Sequence, residues 1–368
     1  MDTEGFTFDL VTQRFIKNRW ETDLGQRVLR EVIDGIKNGV EIRAILDSYV
    51  LEHPENQDPY GHPYYPKSEM KDGAFWVLTQ DDLRGIHVYN ETFPANSSWT
   101  VKSLNYARFY NCDLKGTNLE RTELSMATFE KCNMEGVVFA GSGGYGTRLI
   151  DSNLKGACLW NFGLINGDLS GTDIRDVYLE SARIENIKVN YLTKFDGRLA
   201  EKWETRSLVS HEIPEYLKAF RVAYEHANIW HKVDQFLNLE RSANRKHILY
   251  PAFKADKSAK NAREWFFDLI WGVATGYGTK PGRLLLLSAV VALFYALIYY
   301  FVGNPSEDDS FVTSVYFSFT TFSTLGYGDL SYSNSQDVMR LISTSEALVG
   351  ASLIAAFVGV LSRKVIRH

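Results

Sequence analysis

A bulky apolar residue recurs at every fifth position through the middle of the chain, with a single break at Gly144. The repeated positions are Leu104, Phe109, Leu114, Leu119, Leu124, Phe129, Met134 and Phe139, followed by Leu149, Leu154, Leu159, Leu164, Leu169, Ile174, Leu179, Ile184 and Val189. The residue two positions before each of them is usually small, as at Ala107, Cys112 and Thr117. A period of five fits neither a helix nor a flat strand. It predicts a square solenoid, in which five residues form one side and both regular positions point inward.

These repeats resemble the pentapeptide-repeat family, whose members fold as right-handed quadrilateral β-helices. Eighteen register positions, at four per coil, then predict between four and five coils, or about 20 Å of stack at strand spacing. Leu83, Val88 and Phe93 have the same period in another phase and predict an irregular first coil. Cys112 and Cys132 occupy inward small positions, where core packing outweighs any redox role.

The glycine-rich segment Gly141–Gly146 (GSGGYG) coincides with the break in the repeat. It matches the glycine pattern of dinucleotide-binding loops, but it lacks the strand before it and the helix after it that such a site needs. We therefore interpret it as a loop that bulges out of the solenoid, in preference to a nucleotide site.

A second informative segment, Thr324–Asp329 (TLGYGD), lies between the only two long apolar runs of the chain. Potassium is recognised by replacing its water shell with rings of backbone carbonyls. Gly326 and Gly328 supply backbone conformations that residues with a Cβ reach only at a cost, so that successive carbonyls can point the same way. The hydroxyl of Thr324 can add a further oxygen ligand.

The run YFSFTTFSTLGYGD, from Tyr316 to Asp329, resembles the pore helix and selectivity filter of tetrameric potassium channels. This resemblance implies that K⁺ binds at the filter residues Thr324, Leu325, Gly326, Tyr327 and Gly328, with Asp329 at the outer mouth. Leu325 replaces the valine or isoleucine usual in the family, and the change bears on fine selectivity because the backbone carbonyl coordinates the ion. The tetrapeptide TGYG also occurs at Thr275–Gly278, with no apolar run before it, and there it predicts a turn.

The two apolar runs predict membrane spans at Leu284–Val302 and Val338–Ser362. The first is uncharged, is about 28 Å long as a helix, and ends in Tyr299, Tyr300 and Phe301 at an expected interface. Basic residues before the first span and after the second place both termini in the cytoplasm, with the plasma (inner) membrane of a prokaryote as the expected location. The order of span, re-entrant helix, filter and span is that of a two-transmembrane potassium channel subunit. A homotetramer is expected, because one re-entrant strand alone leaves its polar backbone unsatisfied in lipid.

Two residues of the second span are candidates for gating and for support of the filter. Gly350 falls where inner helices of the family commonly bend, although small residues in a span also serve close helix packing. Glu346 is the only acidic residue inside this span. It is expected either to bond pore-helix hydroxyls such as Thr320 or Thr321, or to reach the outer interface.

The flanking segments show helical spacing. Thr22–Leu51 predicts two amphipathic helices, His53–Pro66 a linker, and Ile213–Lys246 a helical hairpin broken near Asn228, which closes the open end of the solenoid or mediates contacts between subunits. Arg241–Arg263 is strongly basic, and both a solvated linker and attraction to anionic lipids are consistent with it.

The segment Trp265–Trp271 predicts a short aromatic helix in the membrane interface. It resembles the sliding helix before the outer span of inward-rectifier-type channels. Trp265, Phe267 and Trp271 are the candidate coupling residues. Only six residues follow Ser362, so we expect regulation to act from the N-terminal side.

The chain is therefore predicted to be a multidomain potassium channel subunit whose gating the repeat domain modulates. A membrane-anchored repeat scaffold with a poorly conducting pore is the alternative. The net charge of −5 gives no case for nucleic acid, and no nucleophile–base set, metal cluster or phosphate loop indicates an enzyme or an organic cofactor. The predicted domains are 1–70 (helical segment and linker), 71–193 (solenoid), 194–263 (hairpin and basic linker), 264–283 (interfacial helix) and 284–368 (pore).

Overall fold

The computed structural model describes residues 17–52, 82–99, 101–195, 212–255, 259–303, 310–332 and 337–366. The chain divides into two compact units, Met1–Glu240 and Arg241–His368. The predicted linker at 53–66 lies outside the described residues.

The N-terminal unit begins with two helices, α1 (Asp23–Lys37) and α2 (Ile42–Glu52). Thr22 caps α1, since its Oγ1 accepts a hydrogen bond of 3.0 Å from the backbone N–H of Gly25. Apolar residues at helical spacing in α1, among them Val28 and Val32, are fully buried. The predicted pair of amphipathic helices is confirmed.

The middle of this unit is a β-solenoid built from three-residue strands. These are β1 (His87–Tyr89), β2 (Arg108–Tyr110), β3 (Thr128–Glu130), β4 (Gly143–Tyr145), β5 (Arg148–Ile150), β6 (Gly163–Ile165) and β7 (Arg183–Glu185). All pairings are parallel, in the orders β1-β2-β3-β5 and β4-β6-β7. Phe109 pairs with Phe129 and Phe129 with Leu149, so one coil is four groups of five residues. The predicted quadrilateral solenoid is confirmed, with about 5 turns over residues 87–185.

Both regular positions of the repeat point inward. The bulky residues stack from coil to coil, as Phe109 does on Phe129 with ring centroids 4.9 Å apart. Hydroxyls at the small positions bond the backbone of the neighbouring coil, since Thr147 Oγ1 donates to the carbonyl of Leu124 at 2.8 Å. Cys112 and Cys132 are buried at small positions, as predicted.

The irregular first coil is also confirmed. Leu83, Val88 and Phe93 are all buried. The first coil is offset from the second by 21 residues at the Thr92–Asp113 bridge but by 20 at the Ser98–Asn118 bridge. One extra residue after Thr92 therefore accounts for the change of phase.

The predicted bulge at Gly141–Gly146 is wrong. Its central residues form β4, which pairs in register with β6, and Ser142 fills the inward small position. A Cβ on Gly144 would meet the backbone of Leu124 and Ser125. Glycine thus stands at this central position because another coil of the solenoid passes too close for a side chain, and the repeat continues without a break.

A buried ionic cluster holds the N-terminal helices on the first coil. Arg19 and Asp82 are 3% and 1% exposed, and Arg19 Nη1 lies 3.1 Å from Asp82 Oδ2. Burial acts to raise the pKa of Asp82, but Arg19 and Arg84 outweigh it and hold this pKa well below its ordinary value. Trp20 Nε1 also donates to the Arg84 carbonyl at 2.7 Å. The sequence patterns did not predict this attachment.

Helices α3 (Ile213–His226) and α4 (Trp230–Asn244) follow the solenoid. They are separated at Asn228, whose φ of 56° ends the first helix and confirms the predicted break. Phe220 and Phe236 pack on Phe195 of the last coil with centroids 4.5 and 5.3 Å apart. The hairpin covers the open end of the solenoid.

The C-terminal unit is helical. A π-helical turn (Arg245–Leu249) leads to α5 (Tyr250–Ala255), α6 (Ala259–Thr275), α7 (Pro281–Val302), α8 (Phe311–Phe322) and α9 (Asp337–Ile366). By length and composition, α7 and α9 can each cross a membrane, in agreement with the two predicted spans. The short apolar helix α8 packs against both of them.

Candidate functional site

The candidate site begins where α8 ends. Thr324 has a φ of 57°, and this left-handed conformation turns the chain out of the helix. The N–H groups of Thr324 and Leu325 donate to the carbonyls of Thr321 and Thr320, both at 3.0 Å. The helix expected at the start of the run Tyr316–Asp329 is thus observed as α8, which begins earlier, at Phe311, and ends at Phe322.

Every second residue of the glycine-rich segment has a positive φ. The values are 57° at Thr324, 48° at Gly326 and 77° at Gly328. A β-branched residue at positive φ is uncommon and strained, and such strain concentrates at functional sites. The alternation explains why glycine recurs here, and it suits a backbone whose carbonyls serve as ligands.

The segment is exposed on the surface of the single chain. Leu325 and Tyr327 are 62% and 67% exposed, and a Cβ on Gly326 or Gly328 would meet no atom within 4 Å. Both glycines are therefore required by their backbone conformation and not by crowding within this chain.

A hydrogen bond of 2.8 Å ties the far end of the segment to α8. It runs from the hydroxyl of Tyr316 to Asp329 Oδ2. Tyr316 was recognised in the sequence only as part of an aromatic stretch. Its role as a partner of Asp329 depends on the chain turning back along α8.

Glu346 of α9 is fully buried and joins three helices. Its Oε2 accepts a hydrogen bond of 2.6 Å from the Tyr299 hydroxyl of α7, and its Oε1 bonds Ser318 of α8. Ser318 Oγ also lies 2.6 Å from the carbonyl oxygen of Ala292 in α7. Glu346 therefore does not reach toward an outer interface.

The expected partners of Glu346, Thr320 and Thr321, are not the observed ones. The hydroxyl of Thr320 instead bonds the carbonyl of Phe317 at 3.0 Å. Thr320 lies two positions after Ser318, and a rotation of two residues along a helix turns a side chain to nearly the opposite face. Ser314 and Ser318, four residues apart, are the buried serines of α8, so the face of α8 turned toward Glu346 is the serine face.

Tyr299 was expected at the membrane interface with its two neighbours, and that position stays a prediction. Its ring faces the protein, fully buried against Phe317 and Tyr332, whereas Phe301 is 76% exposed. Tyr332 in turn donates to the carbonyl of Gly303 at 2.6 Å. An aromatic cluster thus holds the segment that follows the candidate site.

Gly350 allows α9 to approach the end of α8. A Cβ at this position would meet the carbonyl oxygen of Phe322. The helix α9 continues through Gly350 without interruption. The packing role is therefore visible in the structure, and the hinge role stays a prediction.

The candidate coupling residues lie on α6, which extends beyond the predicted segment at both ends. Phe267 and Trp271 are 65% and 50% exposed, whereas Trp265 is half-buried with its ring 6.2 Å from that of Tyr250. The TGYG copy after α6 forms a turn, as predicted.

Comparison with known proteins agrees with this division of the chain. A family model described as an ion channel matches residues 287–367. A model of pentapeptide repeats, in 8 copies, matches residues 103–141 and 123–161. No curated protein matches the chain.

Of three similar solved structures, two are pentapeptide repeat proteins. A pentapeptide repeat protein of the cyanobacterium Cyanothece 51142 is 22% identical, with 31% of this chain and 87% of that chain covered and a TM-score of 0.26. QnrB1, a plasmid-mediated fluoroquinolone resistance protein, is 15% identical, with coverages of 30% and 59% and a TM-score of 0.26. HetL of Nostoc sp. strain PCC 7120, a pentapeptide repeat protein involved in the regulation of heterocyst differentiation, is 19% identical, with coverages of 30% and 46% and a TM-score of 0.23. On the strength of the two family models, this chain carries pentapeptide repeats in its N-terminal part and an ion-channel domain of the two-transmembrane type at its C-terminal end.

Proposed function

We propose that the protein is a potassium-selective channel subunit that conducts K⁺ passively as a homotetramer. The observation that carries the proposal is the segment Thr324–Gly328, with its alternating positive φ, between two helices long enough to span a membrane. Its backbone carbonyls would replace the water shell of the ion.

The exposure of this segment supports assembly of four chains. Polar backbone at membrane depth is tolerated only where it is buried in protein or lines a water-filled cavity. Within one chain the segment does neither, since Leu325 and Tyr327 are largely exposed. Four copies around an axis would bury the side chains and bring the carbonyls to the pore.

The surroundings of the segment favour cations. Asp329 stands at the proposed outer mouth, where Tyr316 holds its carboxylate. A fixed negative charge at a pore mouth raises the local concentration of cations. We assign to Glu346 the support of the filter from behind, because it joins the helix that carries the filter to both spans.

We further propose that the repeat domain modulates gating through α6. The exposed face of this helix includes Phe266, Phe267 and Trp271, and its first turns include Lys260 and Arg263. An apolar face beside basic residues suits the interface of a membrane that contains anionic lipids. The basic segment Arg241–Arg263 would then lie on the cytoplasmic side of the plasma membrane of a prokaryote.

Ion flux in liposomes tests the proposal. Purified full-length protein should carry K⁺ down its gradient and exclude Na⁺, and it should be a tetramer in mild detergent. A tetramer without K⁺ flux would support the alternative, a membrane-anchored repeat scaffold, and flux of K⁺ and Na⁺ at equal rates would rule out selectivity.

A further inference from the structure

The turn between α6 and α7 has an unusual backbone. Tyr277 is 9% exposed and has a φ of 55°, between Gly276 at 55° and Gly278 at 75°. A bulky residue in the left-handed region is strained, and it persists only where its surroundings enforce it. The contacts of the Tyr277 side chain therefore have to account for its conformation.

The hydroxyl of Tyr277 connects two charged residues. Arg245 Nη1 donates to it at 2.7 Å, and it donates to Asp268 Oδ2 at 2.9 Å. Arg245 and Asp268 themselves lie 3.6 Å apart and are both mostly buried. Burial, and secondly the bond to Asp268, raise the pKa of Tyr277 to about 12, so the hydroxyl keeps the hydrogen that it donates.

Each member of this cluster belongs to a different element. Arg245 opens the π-helical turn that follows α4 in the chain, Asp268 lies on α6, and Tyr277 lies in the turn before α7. Short π-helical turns are rare and are frequent at functional sites. A Cβ on Gly272 would come within 2.7 Å of the Tyr277 hydroxyl, so glycine at this place lets the tyrosine lie on α6.

The same turn lies close to the end of α9. A Cβ built on Gly278 would lie 3.7 Å from Arg363 Nη1 and 3.9 Å from Val360 Cγ2. These two residues belong to the last turns of α9. The turn thus contacts Arg245, in the segment that arrives from the N-terminal side, and lies beside the end of the second span.

We propose that Arg245, Tyr277 and Asp268 are positioning residues of the gate, and that the turn they hold passes movements of the Arg245–Leu249 segment to the end of α9. The inference rests on the proposed channel function. An element couples two sites when both sites bias its conformation. A strained turn held by hydrogen bonds from two other elements meets this condition, because loss of either bond releases the strain.

Recordings of single full-length channels in planar bilayers test the inference. The variants are Tyr277→Phe, which removes only the hydroxyl, Asp268→Asn, and both together. Tyr191→Phe is the control, since this tyrosine lies in the N-terminal unit and is 75% exposed. Each single variant should change the open probability about fivefold or more, as typical coupling energies allow, with unchanged conductance and selectivity. The double variant should change it no more than the larger single change, because the residues act as one unit.

Each result decides the question. Changes below about twofold in both single variants, or a double variant whose effect is the product of the two, would overturn the inference. A loss of tetramers or of selectivity in place of a change in open probability would show a merely structural role. A wild-type protein that passes no K⁺ would overturn the proposed function and this inference together, whereas a conducting wild type with unchanged variants would overturn the inference alone.

Discussion

The hydroxyl of Tyr299 donates a hydrogen bond of 2.6 Å to Glu346, and it joins α7 to α9 at a point where both pack on α8. The other carboxyl oxygen of Glu346 bonds Ser318, whose own hydroxyl lies beside the Ala292 carbonyl. The single hydrogen of the Ser318 hydroxyl can go either to the Ala292 carbonyl or to Glu346, but not to both. If it goes to Ala292, the serine oxygen can accept a hydrogen from the side chain at position 346, and every polar group of the network is then bonded.

Glu346→Gln should preserve the channel and Glu346→Leu should not. Glutamine can accept from Tyr299 and donate to Ser318. Leucine leaves the buried Tyr299 hydroxyl without its acceptor, at a cost of about 1–3 kcal/mol, and leaves Ser318 with the Ala292 carbonyl alone. The measurement is the temperature at which tetramers dissociate in detergent, together with K⁺ flux. Equal stability of the two variants would show that the three-helix network contributes nothing.

Gly326→Ala and Gly328→Ala should each lower the K⁺ over Na⁺ selectivity or abolish the current. Both glycines have positive φ, where alanine is strained by about 1–2 kcal/mol, and the carbonyls would turn away from the pore. Gly282→Ala is the matched control, since a Cβ there also meets no atom within 4 Å and φ is not positive. Selective flux at the wild-type rate in both filter variants is incompatible with our assignment of the filter.

Gly350→Ala should destabilise the C-terminal unit by about 1–3 kcal/mol, because the new methyl group meets the carbonyl of Phe322. Gly359→Ala, in the same helix and with open space around it, should be nearly neutral. Thermal unfolding measures both. A variant at Gly350 with wild-type stability but altered open probability would favour the hinge role over the packing role.

Gly144→Ala should lower the stability of the solenoid by about 1–3 kcal/mol, since its Cβ would meet the backbone of the adjacent coil. Gly163→Ala, on β6 with nothing near its Cβ, is the control and should change stability by about 0.5 kcal/mol or less. Circular dichroism of the full-length protein on heating separates them. Two equally stable variants would mean that Gly144 is not required by packing between coils.

Replacement of Trp265, Phe267 and Trp271 by alanine should alter the open probability and leave ion selectivity intact. Two of these side chains form part of the exposed apolar face of α6, and the filter lies on other elements. Alanine at Val40 and Tyr191, which are exposed in the N-terminal unit, provides the control. An unchanged open probability in the triple variant would make α6 a passive connection.

The local features of the fold were predictable because their causes are local. A side chain at every fifth position can be buried only if the backbone turns with that period. The number of such positions, at four per coil, then predicted the number of coils. The break near Asn228 and the two spans follow in the same way from neighbouring residues. The bulge at Gly144 was predicted wrongly, because a glycine in place of a bulky residue looks like an interruption of the repeat. The glycine is in fact required by the backbone of the neighbouring coil, 20 residues away in the chain.

By itself, the sequence determined the repeat, the membrane helices and the glycines of Thr324–Gly328, because each depends on residues a few positions apart. Only the tertiary structure decided that Ser318 and not Thr320 meets Glu346, since this depends on which face α8 turns toward α9. It also decided that Tyr277 joins Arg245, which is 32 residues away in the chain. Such contacts depend on how whole helices pack, and packing is the sum of many side chains that no short pattern contains.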